Sequence, residues 1–143
     1  MDKLLISACL LGVPCRYDGK SKPAAGIDAL REKYELIPVC PEQLGGLPTP
    51  RTPSERRDDR VVTAEGTDVT DEYQKGARAA LALCLREGCV AAVLKERSPS
   101  CGSGEIYDGT FTRTVIPGDG VTAELLKKNG IKVCGESEAD ALL

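Results

Sequence analysis

The sequence contains no histidine among its 143 residues. That absence excludes Ser-His-Asp triads, Cys-His nucleophile pairs, zinc sites built on histidine and acid/base catalysis by imidazole. Any chemistry must therefore depend on cysteine, carboxylate, hydroxyl, lysine or arginine side chains, or on a cofactor.

Aromatic residues are scarce too, with four Tyr, one Phe and no Trp. Because the charges are interspersed and sum to only -3, we expect no nucleic-acid surface, although a single base could bind. The chain has no apolar run of about eighteen residues and no signal-peptide pattern at its start. We therefore expect a cytoplasmic protein without membrane contact, folded as a single domain over residues 1–143.

The cysteine pattern is unlike that of a secreted, disulfide-stapled domain, because seven cysteines are spread along the chain. The chain also lacks a Cys-x-x-Cys pair, which argues against zinc ribbons and thioredoxin-like redox motifs. An iron-sulfur cluster, in contrast, accepts ligands that are scattered through the sequence. Reduced thiols or metal ligation are therefore the favoured interpretation.

Short apolar runs alternate with helical patterns along the chain. The main strands are predicted at 3–8, 35–39, 89–94 and 131–134, and the helices at 27–33, at 70–87 with Thr70 as the N-cap, at 121–128 and from 137 onward. Between them we predict a long loop at 41–60, a short extra strand at 60–64 and a hairpin within 102–120.

This alternation predicts an α/β fold with a small doubly wound, Rossmann- or flavodoxin-like sheet. The sheet should be mostly parallel, with about four main strands and helices on both faces. Pro38 cannot donate a hydrogen bond within a sheet, so the second strand should lie at an edge. The strand order that follows is 2-1-3-4.

Three cysteines are placed to meet at the carboxyl ends of these strands, where such sheets bind their ligands. Cys9 and Cys40 directly follow the first two strands, and Cys101 lies a few residues beyond the third. We predict that they share one site, best explained by an iron-sulfur cluster. Glu42 and Ser98 lie two and three residues from these cysteines. Without histidine, Glu42 is the natural proton carrier.

The other cysteines divide into two groups. Cys84 and Cys89 follow apolar patterns and should be buried core residues. Cys15 and Cys134 remain open, since each could be a fourth ligand, a reactive thiol or a bystander. The charged stretch ERRDDR at 55–60 should be a solvated, self-neutralising surface.

Three stretches of the chain carry a family signature, and together they resemble the thiouracil desulfidase family. They are SACLLGVPCRYDG at 7–19, VCPEQLGGLPTPR at 39–51 and LKERSPSCGSG at 94–104, and the resemblance also includes the segment GTDVTDEYQKGA at 66–77. The combination is specific where each motif alone would be weak, and it spans nearly the whole chain.

The resemblance implies an enzyme whose 4Fe-4S cluster is held by Cys9, Cys40 and Cys101, with one iron free for substrate. Its substrate would be a small thiolated nucleobase or thioamide, such as the pyrimidine thiouracil, whose sulfur is released as sulfide without redox change. Motif matching also implies that Glu42 and Ser98 are catalytic, with Glu42 moving protons and Ser98 orienting substrate or water.

Two other classes of function stay open at this point. The chain could be a non-catalytic iron-sulfur or sulfur carrier, which would bind iron but tolerate loss of Glu42. It could also be a metal-free redox protein acting through Cys9 or Cys15, which the missing Cys-x-x-Cys pair disfavours. Some family members carry an additional domain, so the substrate could differ from thiouracil.

Overall fold

The protein combines eight short strands with four α-helices in a computed structural model that describes all 143 residues. The strands are β1 (Asp2–Ser7), β2 (Tyr34–Val39), β3 (Ser54–Arg57), β4 (Arg60–Thr63), β5 (Ala91–Leu94), β6 (Glu105–Tyr107), β7 (Val115–Pro117) and β8 (Lys132–Gly135). The helices are α1 (Ile27–Lys33), α2 (Pro41–Leu44), α3 (Thr70–Glu87) and α4 (Val121–Lys128), and Ala8–Leu11 and Glu136–Leu142 form 3-10 helices.

The central sheet has four parallel strands in the order β2-β1-β5-β8. Counted along the chain as main strands, this order is 2-1-3-4, so the predicted topology is confirmed. Pro38 lies opposite Ile6 in the edge strand β2, where a missing N–H is tolerated. Two antiparallel hairpins, β3-β4 and β6-β7, lie outside this sheet.

The core lies on both faces of the sheet because successive strand residues point to opposite sides. Leu4 and Ile6 of β1 pack in one cluster with Leu30 of α1. Leu5 packs in a second cluster with Ala80 of α3 and Leu126 of α4. Helices therefore cover both faces, as predicted. None of the helices combines the length and apolar character needed to cross a lipid bilayer.

Two local predictions were wrong. The predicted loop at 41–60 contains α2 and β3, and β3 pairs with β4 as a hairpin. Thr70 is the first residue of α3 rather than its N-cap, which is Val69. The reason is that the buried Thr70 hydroxyl accepts a hydrogen bond from the Val61 amide at 2.9 Å. The amide of Thr70 donates instead to the Asp68 carboxylate.

Helix α2 rests directly on the backbone of α3 through two glycines. A Cβ at Gly76 would collide with the Pro41 carbonyl oxygen, and one at Gly45 would collide with the Glu72 carbonyl oxygen. Backbone atoms on both sides of this contact leave no flexible side chain to move aside. The contact fixes the position of the segment that follows β2.

Replacing Gly76 by Ala should destabilise the protein. Alanine improves helix propensity by about 1 kcal/mol, but overpacking against fixed backbone costs roughly 1–3 kcal/mol. We expect a lower Tm in thermal unfolding followed by circular dichroism. The exposed Lys75 on the same helix provides the control, since Lys75→Ala should leave the Tm almost unchanged. A Gly76→Ala variant as stable as the wild type would contradict the close contact.

Candidate functional site

A cavity of about 390 Å³ opens at the carboxyl ends of β1, β2 and β5. Its lining includes all five predicted site residues, Cys9, Cys40, Cys101, Glu42 and Ser98. The structure therefore brings together residues that lie far apart in the sequence. This location is the switch point of the parallel sheet. The strand that follows β1 in the chain, β2, lies on one side of it, and the later strands β5 and β8 lie on the other side.

Cys9 is positioned by a tight turn that follows β1. The 3-10 helix of residues 8–11 ends at Gly12, whose φ of 96° is the left-handed conformation that glycine adopts readily. The Cys9 carbonyl accepts hydrogen bonds from the amides of Gly12 at 3.2 Å and Lys22 at 2.9 Å. The Cys9 residue is only 6% exposed, so both backbone and side chain are held in place.

Cys40 and Glu42 are placed by the short helix α2. Cys40 is its N-cap, and Pro41 occupies the first helical position, where its missing N–H is not needed. Glu42 lies in the first turn and lines the cavity. Its carboxylate is 3.5 Å from the guanidinium of Arg51, and both side chains are largely buried. The two charges partly compensate each other inside the site.

Cys101 lies in a loop that is held by hydrogen bonds to the Ser98 hydroxyl on one side and to the start of α4 on the other. The Ser98 hydroxyl oxygen accepts hydrogen bonds from the amides of Ser100 at 3.1 Å and Cys101 at 3.0 Å. The carbonyls of Pro99 and Ser100 accept hydrogen bonds from the first amides of α4, which otherwise lack partners within a helix. This double attachment explains why Cys101 is rigidly placed and 3% exposed.

Cys15 also lines the cavity, where it lies next to Cys9 and Cys40. It is 2% exposed, and its carbonyl accepts hydrogen bonds from Arg51 at 3.1 Å and from the Cys40 thiol at 3.7 Å. Sequence reasoning left Cys15 open because its distance from a strand end depends on how the loop curves. Cys134, in contrast, does not line this cavity.

Three thiols of this site, those of Cys15, Cys40 and Cys101, have raised pKa values, which favours their protonated form. The pKa of Cys40 is raised by its hydrogen bond to Cys15, by burial and by Glu42. For Cys15 the bond to Cys40 lowers the pKa, but the bond to Cys9 and burial outweigh it and bring the value to about 11. Burial and Glu42 raise the pKa of Cys101. These thiols would readily lose their protons only when a metal cation binds the sulfur atoms in place of the protons.

Burial also raises the pKa of the Glu42 carboxyl, although the neighbouring Arg51 acts in the opposite direction. A carboxyl with a raised pKa exchanges protons closer to neutral pH than an exposed one. This is the kind of environment in which a carboxyl group can act as an acid or a base. The proximity of Arg51 keeps the ionised form accessible.

Ser7 and Tyr73 are among the lining residues that sequence reasoning missed. The Ser7 hydroxyl accepts a hydrogen bond from the Lys95 amide at 2.8 Å. Burial raises the pKa of the Cys101 thiol, and Ser7 opposes that effect. The pKa of the Tyr73 hydroxyl is raised by burial and by Glu42. Its helical spacing in α3 correctly indicated a buried residue but carried no signal that the hydroxyl reaches a cavity. Ser7 could have been found, since it precedes Cys9 by two residues.

The predicted solvated surface at 55–60 was wrong for Glu55 and Arg56, which are half-buried, while residues 57–60 are exposed as predicted. Glu55 accepts hydrogen bonds from two backbone amides of the loop between β6 and β7. Arg57 donates to the Gly109 carbonyl of the same loop at 2.7 Å, and Arg56 donates to the Asp119 carbonyl at 2.7 Å and to Glu124 at 2.8 Å. Glu55 and Arg57 therefore connect the two hairpins, whereas Arg56 connects β3 to α4 and the residue Asp119 before it.

The donor set of the cavity suits an iron-sulfur cluster. Four soft thiols, those of Cys9, Cys15, Cys40 and Cys101, face one cavity of about 390 Å³. Cysteine thiolates are the ligands that hold such clusters, and they can come from separate chain segments.

Fold and cavity together define a class of protein, a parallel α/β structure with thiols converging at the carboxyl edge of its sheet. The family model of the 2-thiouracil desulfurases matches residues 4–138, and the chain belongs to this family. The resemblance inferred from the sequence motifs is thereby confirmed.

Two relatives place the chain within the family. It is 43% identical to the uncharacterized protein YbbK of Bacillus subtilis (strain 168), over 98% of this chain and 99% of YbbK. A solved structure of the 4Fe-4S-dependent thiouracil desulfidase TudS superposes with a TM-score of 0.94 at 49% identity. That match covers 99% of this chain and 95% of the TudS chain.

Proposed function

We propose that this protein is a 4Fe-4S-dependent enzyme that removes the sulfur from a thiolated pyrimidine such as thiouracil. The net reaction replaces the sulfur of a C=S group with the oxygen of water, and the two water protons leave with the sulfur as hydrogen sulfide. No electrons are gained or lost. The observation that carries the proposal is the convergence of four thiols and Glu42 in one cavity, in a chain that aligns with TudS almost end to end.

The cluster would be held by Cys9, Cys40 and Cys101, which come from the ends of three neighbouring strands. When bound, a cluster with one iron lacking a protein ligand supplies a Lewis acid for the thiocarbonyl sulfur. The chain supplies the rigid placement of the three thiols. It also supplies the buried surroundings, which limit the access of bulk water to the reacting group.

Glu42 is the residue that would carry the proton from the attacking water. Its carboxyl lines the cavity, is largely buried and belongs to the same short helix that follows Cys40. The Ser98 oxygen accepts two backbone hydrogen bonds, so its own proton is the one that can be donated to substrate or water. Arg51 keeps the ionised Glu42 stable between proton transfers.

Replacing Cys15 by Ala should leave the cluster in place. If the other three cysteines of the cavity hold the iron, Cys15 is a buried neighbour of the cluster and not a ligand. The variant should then retain nearly the same iron content per chain after anaerobic reconstitution. Cys84→Ala, which removes another buried thiol outside the cavity, is the matched control. Iron loss in Cys15→Ala alone would make Cys15 a ligand and would contradict an open iron position.

The function itself is tested by anaerobic reconstitution followed by sulfide-release assays on 2-thiouracil and 4-thiouracil. We expect a brown protein with charge-transfer absorption, which converts thiouracil to uracil and releases an equal amount of sulfide. A protein that binds the cluster but releases no sulfide would instead be a carrier. A protein that binds no iron would refute the proposal entirely.

A further inference from the structure

The few aromatic side chains of this protein are concentrated around the cavity. The chain has five in total, and four of them, Tyr17, Tyr73, Tyr107 and Phe111, line it. A random distribution would not place most of them in one site. Aromatic faces stack on planar bases, so this concentration points to a planar ring as the ligand.

Core packing does not explain three of these residues. Tyr73 is 3% exposed and belongs to a small hydrophobic cluster with Val61 and Val69. Tyr17, Tyr107 and Phe111 belong to none of the hydrophobic clusters. Tyr17 is 41% exposed, and Tyr107 and Phe111 are half-buried at the wall of the cavity.

Phe111 stands out because its backbone adopts a conformation that bulky residues rarely accept. Its φ is +59°, in the left-handed region. Two further lining residues, Arg97 and Arg113, also have positive φ, at 64° and 62°. Such outliers persist where the surroundings over-determine them, and they cluster at ligand sites.

The surroundings that hold Phe111 are the charges of β3. The Glu55 Oε1 atom accepts hydrogen bonds from the Phe111 amide at 3.1 Å and the Gly109 amide at 3.0 Å. Arg57 donates to the Gly109 carbonyl at 2.7 Å. The loop is therefore held by the separate β3-β4 hairpin. The position of Phe111, its one large apolar side chain, depends on Glu55, which lies more than fifty residues earlier in the sequence.

We propose that Phe111 is the ring-binding residue of this site. Its face stacks on the pyrimidine of the thiolated base, while the C=S group points toward the thiols across the same cavity. Glu55 also lines the cavity, but its Oε1 atom is engaged by the Gly109 and Phe111 amides, so its role is that of a positioning residue for the Phe111 loop. This inference rests on the proposed function and adds to it the residue that selects a planar ring.

The first test replaces Phe111 by Ala. Loss of one stacking partner should raise KM for thiouracil about tenfold and leave kcat nearly unchanged, since stacking contributes equally before and during reaction. Binding of uracil, measured by titration calorimetry, should weaken by the same factor. Phe111→Tyr should restore both values. Val115→Ala, in the neighbouring strand β7 outside the cavity, should change neither value.

The second test separates positioning from direct contact. Glu55→Ala should raise KM as Phe111→Ala does, because the loop loses its acceptor. Glu55→Gln keeps an Oε1 atom that can accept from both amides, and it should restore binding. Iron content and Tm are measured for every variant, so that a folding defect is recognised.

The outcomes distinguish this inference from the proposed function. An active wild type with unchanged KM and uracil affinity in Phe111→Ala overturns the inference and leaves the function intact. A wild type that binds uracil through Phe111 but releases no sulfide supports ring binding and refutes the desulfidase function. If the wild-type protein neither binds uracil nor acts on thiouracil, both are refuted. A lower kcat with unchanged KM in Phe111→Ala also overturns the inference.

Discussion

The Cys101→Ala variant is expected to fold and to hold almost no iron. Iron content should fall from about four atoms per chain to near zero after anaerobic reconstitution, and the charge-transfer absorption should disappear. Cys101 is one of three thiols that we assign to the cluster, and it comes from a loop fixed on α4. No other side chain of that loop can replace a soft thiolate donor.

Cys134→Ala is the matched control for Cys101→Ala. Both cysteines are buried and follow or end a strand of the same sheet, but Cys134 does not line the cavity. The control should therefore bind iron as the wild type does. Circular dichroism establishes that both variants are folded. A Cys101→Ala protein with full iron content would rule out the proposed ligand set.

Replacing Glu42 by Gln should abolish most of the turnover while leaving the cluster bound. The amide matches the carboxyl in size but cannot accept and return a proton, and loss of a positioned proton carrier lowers kcat by roughly 10²–10⁴-fold. Iron content and absorption should match the wild type. Sulfide release under anaerobic conditions is the measurement.

The exposed Glu65 offers a control for the charge change, since Glu65→Gln removes the same charge outside the cavity. That variant should retain wild-type kcat. If Glu42→Gln releases sulfide at the wild-type rate, another group carries the proton, and Tyr73 becomes the next residue to replace. A protein that only carries clusters would be indifferent to both substitutions.

Much of the fold could be predicted because its signals are local. A few neighbouring residues are enough to predict each of three features: the buried strand that ends at Leu94, the helical spacing of α3 and the edge position of the strand that contains Pro38. The carboxyl ends of parallel strands meet at one edge, so Cys9 and Cys40 could be brought together without a structure.

What could not be predicted depends on contacts between distant residues. Glu55 binds amides 54 and 56 residues further along the chain, and nothing in the charged stretch indicates that partner. The curvature that turns Cys15 into the cavity arises from loop hydrogen bonds to Lys20 and Lys22. The short α2 was hidden by prolines and glycines that favour loops.

The backbone contact between Gly45 and Gly76 has a consequence for local stability. A four-residue helix such as α2 has almost no stability of its own. Because it lies directly on the eighteen-residue α3, the segment with Cys40 and Glu42 keeps its conformation only while that helix is folded. A change that loosens the first turns of α3 should therefore also loosen the loop that carries Cys40 and Glu42, although neither residue belongs to that helix.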